Sequence, residues 1–297
     1  MLKRLWHNRF TMNRLDARTR ASVLTCLIEG CSIRATVRMT GVAKKTVSRL
    51  LLEAGTVAAD YQHRVMQNLP CRRIQVDEVW GFNYCKDKNV TPKIASKVAA
   101  AGSIWLWVAI DADTKLVPCF MLGSRSAGDA HAFISDLAPR LRHRVQMTTD
   151  GHRPYLQAIE SVFGADVDYA MLVKIYGNDG DSASPERRYS PGQCKGTIPT
   201  VITGRPDPSH ISTSFVERQN WTLRTNMRRY TRLSNGFSRK IENHAAAVAL
   251  NYFAYNFIKI HSSLRVTPAM AAGITTRLFD VADLVKLLIE AESEKVA

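Results

Sequence analysis

RIQVDEVW, residues 73–80, decides how the chain is read: it alternates as a strand, with Ile74, Val76 and Val79 flanking an aspartate, Asp77. An ionised carboxylate in such a setting costs free energy unless a cation partners it. Downstream, residues 104–110 form an almost continuous apolar run suited to a central strand, residues 111–115 a turn, and residues 117–122 a returning strand. Three antiparallel strands are therefore expected. Residues 128–141 have the pattern of an amphipathic helix carrying His131, Phe133, Ile134 and Leu137. A short strand at 145–149, a helix at 154–163 and a fifth strand within 168–176 follow. The fold class this order implies is α/β, a mixed sheet with flanking helices. Residues 177–208, rich in Gly, Pro, Ser and Asp, read as a long loop, and Ser212 or Thr213 is placed to cap a helix through about residue 232. The remainder reads as helical, with a break around 261–268.

Upstream, residues 16–55 are helical in pattern. Val23, Leu24, Leu27 and Ile28 stand at core spacing, Gly30 is a stop, Ser32 a cap, and Gly41 a turn residue tolerant of positive φ. A third helix is expected over 44–53, followed by a linker at 61–70. This is helix-turn-helix spacing, in which Val42, Val47 and Leu50 face inward and Lys44, Lys45, Thr46, Ser48 and Arg49 are expected to face a DNA groove, although a plain three-helix bundle with no ligand has the same pattern. The expected organisation is a small all-α helix-turn-helix unit at 1–64, a catalytic unit at 65–260 and a helical extension at 261–297. Met12 heads a shorter plausible start, so the first eleven residues are expected to take no part in the fold.

The chain has 297 residues, 41 Lys+Arg against 26 Asp+Glu and a formal net charge of +15, a balance that favours a polyanionic partner. Residues 1–64 hold 12 Lys+Arg against 4 Asp+Glu, and residues 205–240 hold 8 against 2, so two basic surfaces are expected. The 6 cysteines are scattered; Cys26 and Cys31 lie close together, without the second pair a zinc site requires. No stretch approaches the roughly 20 apolar residues of a membrane span. A reducing cytoplasm is the expected compartment.

Two further acids join Asp77. Asp150 directly follows the fourth strand, before Gly151, and Glu217 opens the late helix. If the sheet converges them, three carboxylates repel unless cations sit between them, and hard oxygen ligands suit Mg²⁺ or Mn²⁺, two ions roughly 4 Å apart. Such a site runs in-line displacement at phosphorus with water or a DNA 3′-hydroxyl as nucleophile. Asn220 and Arg224 share the Glu217 side of their helix; Val216, Leu223, Met227 and Tyr230 make an apolar stripe, and Arg218, Arg228, Arg229 and Arg232 face outward. Each acid also has a plainer reading. Glu78, Asp111 and Asp113 show that acids near strands are common here, Asp150-Gly151 suits an ordinary turn, and Glu217 could merely offset local charge. His152 reads as a structural or surface histidine more than as a participant.

These positions resemble the DDE transposases of bacterial insertion sequences, in particular the insertion-sequence-one family. The resemblance lies in QVDEVW at 75–80, WLWVAIDADT at 105–114, TTDGHRPY at 148–155, SFVERQNWTLR at 214–224 and HSSLRVTPAMAAG at 261–273. It implies a ribonuclease-H-like catalytic domain, with Asp77, Asp150 and Glu217 as catalytic ligands of divalent metal. It also implies that the helix-turn-helix recognises terminal inverted repeats, with Asn220, Arg224 and Arg228 adding DNA contacts. Double-stranded DNA, both element ends and target, is the expected partner in a bacterial, nucleoid-associated setting. Pairing two ends calls for a dimer or larger assembly. The apolar stripe Leu278, Val281, Leu284, Val285, Leu288 and Ile289 suits either a subunit contact or packing on the catalytic domain. Relatives often begin with a cysteine zinc element, which this chain lacks. Two other classes share these features: a transposase-derived regulator that binds DNA without catalysis, and a ribonuclease-H-like nuclease that cuts without joining.

Overall fold

The computed structural model describes residues 14–98, 100–177, 194–231 and 235–294. Near the N-terminus, α1 (Ala17–Ile28) is capped by Asp16, and α2 (Ile33–Thr40) by Ser32, whose hydroxyl accepts from the Ala35 amide. Gly41 then adopts φ 71°, the left-handed conformation that ends α2 and redirects the chain. The next helix, α3 (Lys44–Val65), is far longer than the expected 44–53 and takes up half of the expected linker. Its inward face is the reason: Val47, Leu50, Leu51, Ala54, Ala58 and Gln62 are all buried. The small residues on that face are those that let another helix approach.

The sheet has six strands in the order β3-β2-β1-β4-β5-β6. They are β1 (Arg73–Asn83), β2 (Gly102–Asp111), β3 (Cys119–Gly123), β4 (Val145–Thr149), β5 (Val167–Tyr176) and β6 (Cys194–Thr203). β1 pairs antiparallel with β2 and parallel with β4, β2 pairs antiparallel with β3, and β4 pairs parallel with β5. Three antiparallel strands continued by two parallel ones are the strand order of the ribonuclease-H-like fold. Two helices, α4 (Ala127–Leu137) and α5 (Pro154–Phe163), join the later strands and pack against each other. α4 stops short of residue 141 because Pro139 tightens its end into a 3₁₀ turn.

The strand β6 stands where a loop was expected, antiparallel to β5 at the sheet edge. Gly196 and Pro199 disguise it in sequence, and an edge strand tolerates both. Residues 178–193 of that expected loop, and residues 1–13 with the proposed extension, lie outside the described residues.

Beyond the sheet, α6 (Ser214–Asn226) ends well before the expected residue 232. After it the chain turns so that Met227 and Tyr230 still enter the core, and the Thr231 hydroxyl donates to the Arg224 carbonyl at 2.8 Å. The stripe is buried as expected, but by a turn as well as a helix. α7 (Ile241–Phe253) continues as a π-helical turn, Ala254–Ile258, and α8 (Val281–Glu294) closes the chain.

α3 runs along α7 with its Gly55 against Ala246, where a Cβ would stand 2.3 Å from the Ala246 carbonyl oxygen. Gln62 Nε2 donates to the Ala249 carbonyl at 3.1 Å, and Asn256, fully buried, donates to the Val117 carbonyl and accepts from its amide. α8 packs on α1 and α3, with Leu284, Val285 and Leu288 buried and Leu278 and Ile289 exposed. The stripe was expected at a subunit contact or on the catalytic domain; its buried part packs instead on the N-terminal helices α1 and α3. Glu292 of α8 also pairs with Arg20 of α1 at 3.0 Å.

Replacing a helical glycine with alanine ordinarily stabilises by about 1 kcal/mol, but at Gly55 the methyl meets backbone that cannot yield. Gly55→Ala should therefore destabilise by roughly 1–3 kcal/mol. A urea midpoint lowered at unchanged slope is the expected result.

Candidate metal and phosphoryl-transfer site

Parallel pairing sets Val76 beside Thr149, so the first residue past β4, Asp150, emerges level with Asp77 on the neighbouring strand. Strand alternation turns Glu78 to the opposite face, where the Arg125 Nε donates to it at 2.6 Å and the Tyr155 hydroxyl at 3.0 Å. One ligand oxygen from each of Asp77, Glu78 and Asp150 falls within 4.8 Å of the other two. The structure thus brings together Asp77 and Asp150, as the sequence suggested, and adds Glu78, which the sequence did not separate from its ordinary acidic neighbours. Asp111, by contrast, is a turn acid, its carboxylate accepting from the Thr114 amide at 3.0 Å.

Glu217 approaches from α6. The helix start is fixed by Gln75, two residues before Asp77 on the same face of β1, whose side-chain oxygen accepts from the Phe215 and Val216 amides at 2.9 and 3.1 Å. That oxygen serves as the cap, because the Thr213 hydroxyl is committed to Glu217 itself. Glu217 also pairs with Lys174 of β5. Burial works against the Lys174 charge, but the Glu217 carboxylate beside it carries the net shift upward.

Burial above all, then the charges of Asp150 and Glu78, pushes the Asp77 carboxyl from 3.8 up to about 7, with Glu217 adding to the effect. Glu78 is raised as well, by burial and then by Asp150, against the pull of Arg125. The donor set fits a divalent cation: hard oxygens, close convergence, and a mutual repulsion that such an ion would relieve.

Asn220 and Arg224 do not present themselves to a duplex as expected. The Asn220 amide is buried and donates to Asp77 Oδ2 at 2.7 Å, and Arg224 is half-buried with its guanidinium toward the Tyr230 carbonyl. Asn220 orients a carboxylate. Arg229, expected outward, turns its Nε to Ser238 at 2.7 Å, whereas Arg228 is exposed and Arg218 covers the exposed Trp221 at 4.6 Å. Arg232 lies outside the described residues. His152 packs its ring against Trp107 and Tyr155. Burial depresses its basicity, which agrees with a structural role. Lys44, Lys45 and Arg49 are exposed along the start of α3, with Thr46 and Ser48 half-buried.

No protein-family model and no curated protein matches the chain. Among solved structures, it is similar to a chain of the simian T-cell lymphotropic virus intasome in complex with PP2A regulatory subunit B56 gamma. That likeness is 14% identical, covers 84% of this chain and 74% of that one, and has a TM-score of 0.40. A chain of the piggyBac transposase synaptic complex with hairpin DNA is 12% identical over 92% of this chain and 69% of that one, at TM-score 0.41. A chain of the Mos1 transposase paired-end complex with left transposon end is 14% identical over 56% and 65%, at TM-score 0.24. The fold assignment rests on the strand order, to which these scores add no weight. What the geometry establishes is a ribonuclease-H-like domain with an acidic cluster able to hold a divalent metal.

The raised Asp77 value has a sign that can be measured. A carboxyl whose pKa is higher folded than unfolded contributes stability that is complete below pH 3.8 and lost as pH rises through about 7. In chelator, Asp77→Asn should be more stable than wild type at pH 8 by roughly 1–2 kcal/mol, discounted for partial exposure. The difference should shrink as pH falls and vanish below about pH 3.8, where Asp77 is protonated in both states. Added Mg²⁺ should raise the melting temperature of wild type and leave that of the variant unchanged.

Proposed function

We propose that the chain is a DDE transposase of the insertion-sequence-one type. In this reading it binds the terminal inverted repeats of its element through residues 1–64, hydrolyses a phosphodiester to free a 3′-hydroxyl, and joins that hydroxyl to target DNA by transesterification. The observation that carries the reading is the convergence of Asp77 and Asp150 from neighbouring strands within 4.8 Å; Glu217, outside that cluster and paired with Lys174, starts a helix tied to the same strand and is near enough for its charge to raise Asp77. Mg²⁺ or Mn²⁺, two ions per site, would activate the attacking oxygen and stabilise the leaving one when bound. Asp77, Asp150 and Glu217 would hold them. Asn220 keeps Asp77 in orientation, Arg125 and Tyr155 neutralise Glu78 from behind, and Lys174 holds Glu217 against the fifth strand. Lys44, Lys45, Thr46, Ser48 and Arg49 would meet the element end, with Arg228 on the backbone, in a dimer or larger assembly.

Asp77→Asn or Glu217→Gln should lower cleavage and joining of an end-bearing oligonucleotide by roughly a hundredfold or more, the scale of losing one electrostatic stabiliser of the transition state. Binding to the same DNA should survive. Cleaved ends without joined product from wild type would indicate a plain nuclease, and binding with no product a regulator; either would displace the transposase reading.

Lys45→Ala combined with Arg49→Ala should weaken end binding and flatten the dependence of log affinity on log salt by up to about 2, at 0.9 per phosphate contact. An unchanged slope would mean that the start of α3 does not meet the phosphates.

A further inference from the structure

Part of each basic block of the sequence lines the same groove. The two parts face each other across it. One wall is the α1–α2 turn and the start of α3, with Arg34 and Lys44; the other is the end of α6 and the chain beyond it, with Arg228, Arg229 and Arg239. Among the described residues, no acidic residue lines the groove. Arg34, Lys44, Arg228 and Arg239 are exposed, and among the described residues no carboxylate pairs with Arg34, Lys44 or Arg239. Arg34, Lys44 and Arg239, brought to one groove without a paired carboxylate among the described residues, repel one another, and a polyanion laid between them would relieve that repulsion.

The walls are fixed and close. Gly30, at φ 78°, lies against the Asn226 carbonyl, and a Cβ there would stand 2.4 Å from that oxygen, so the turn and the helix end meet backbone to backbone. α6 itself connects the groove to the carboxylates, since Glu217 opens it and Asn226 ends it. Nine residues at 1.5 Å each make about 14 Å, or about four base-pair steps of 3.4 Å.

We propose that this groove holds the sugar-phosphate backbone of the same DNA duplex whose phosphodiester reaches the carboxylate cluster, so that α6 sets the spacing between end reading and cleavage within one chain. The proposal rests on the transposase reading for its choice of DNA. Its contacts are to phosphate and are therefore indifferent to sequence.

The test is a binding titration with duplex DNA of arbitrary sequence at a series of salt concentrations. It uses the full chain carrying Asp77→Asn, so that nothing is cut. Adding Arg34→Glu and Arg239→Glu should lower affinity tenfold or more and make the salt slope shallower by about 2. The neutral pair Arg34→Gln and Arg239→Gln, which introduces no new repulsion, should give the same change of slope with a smaller loss of affinity. Circular dichroism melts confirm that each variant is folded. Unchanged affinity and slope in a folded variant would overturn the proposal. Because the readout is binding alone, a chain that fails strand transfer leaves the groove result interpretable, and a chain that transfers strands while the groove variants bind normally removes the groove and spares the transposase reading.

Discussion

Three carboxylates forced together at the middle of a sheet are the constraint around which much of this molecule is organised. Asp77 and Glu78 are consecutive on β1, so their side chains leave on opposite faces, and Asp150 at the end of β4 lies near both. Each face then supplies its own compensation. Behind the sheet, Arg125 and Tyr155 bind Glu78; in front, Asn220 binds Asp77, and Lys174 binds Glu217 before it can add a further free charge. The balance is incomplete at Asp77, whose carboxyl stays high, and an incomplete balance is what a site that receives a cation requires.

This division explains what could be read from the sequence. The order of strands, and Asp77 and Asp150 as a pair, were legible because strand periodicity and a charged residue amid aliphatics are local signals. Glu78 was not, because adjacent acids on a strand look equivalent until it is known that β4 ends beside Val76 and leaves Asp150 near both. Gln75 is hidden for a related reason: a polar residue in a strand carries no mark that its amide caps a helix 140 positions away. Asn220 was found by helical spacing but given the wrong partner, since spacing fixes the side of a helix and not what faces it. The length of α3 was missed because Ala54, Gly55 and Ala58 form its buried face past residue 53 and leave no stripe of large apolar residues to read, and β6 because Gly196 and Pro199 make local strand propensity weak.

The long α3 changes what the N-terminal helices can do. A helix-turn-helix on a flexible linker could present DNA at any angle. Here the same helix that begins with Lys44 and Lys45 runs on to Gln62, which donates to α7, while α8 grips α1 through Arg20 and Glu292. The buried cluster extends from Val23 to Leu288 without a break between the N-terminal helices and the sheet. Any DNA held by the start of α3 is held at a fixed position relative to the carboxylates.

A fixed position matters most when the reaction at phosphorus needs in-line geometry, because small misplacements cost large factors in rate. α6 meets that demand at both ends: Gln75 anchors its start beside Asp77, and Gly30 abuts its finish at Asn226. A substitution that enlarged Gly30 would therefore act at a distance. The added Cβ must push away the Asn226 carbonyl, the push travels along the helix, and it arrives at the Glu217 end, where it loads the two hydrogen bonds that the Phe215 and Val216 amides donate to Gln75. Backbone contact at one end and side-chain capping at the other make the helix a strut between the basic groove and the acidic cluster.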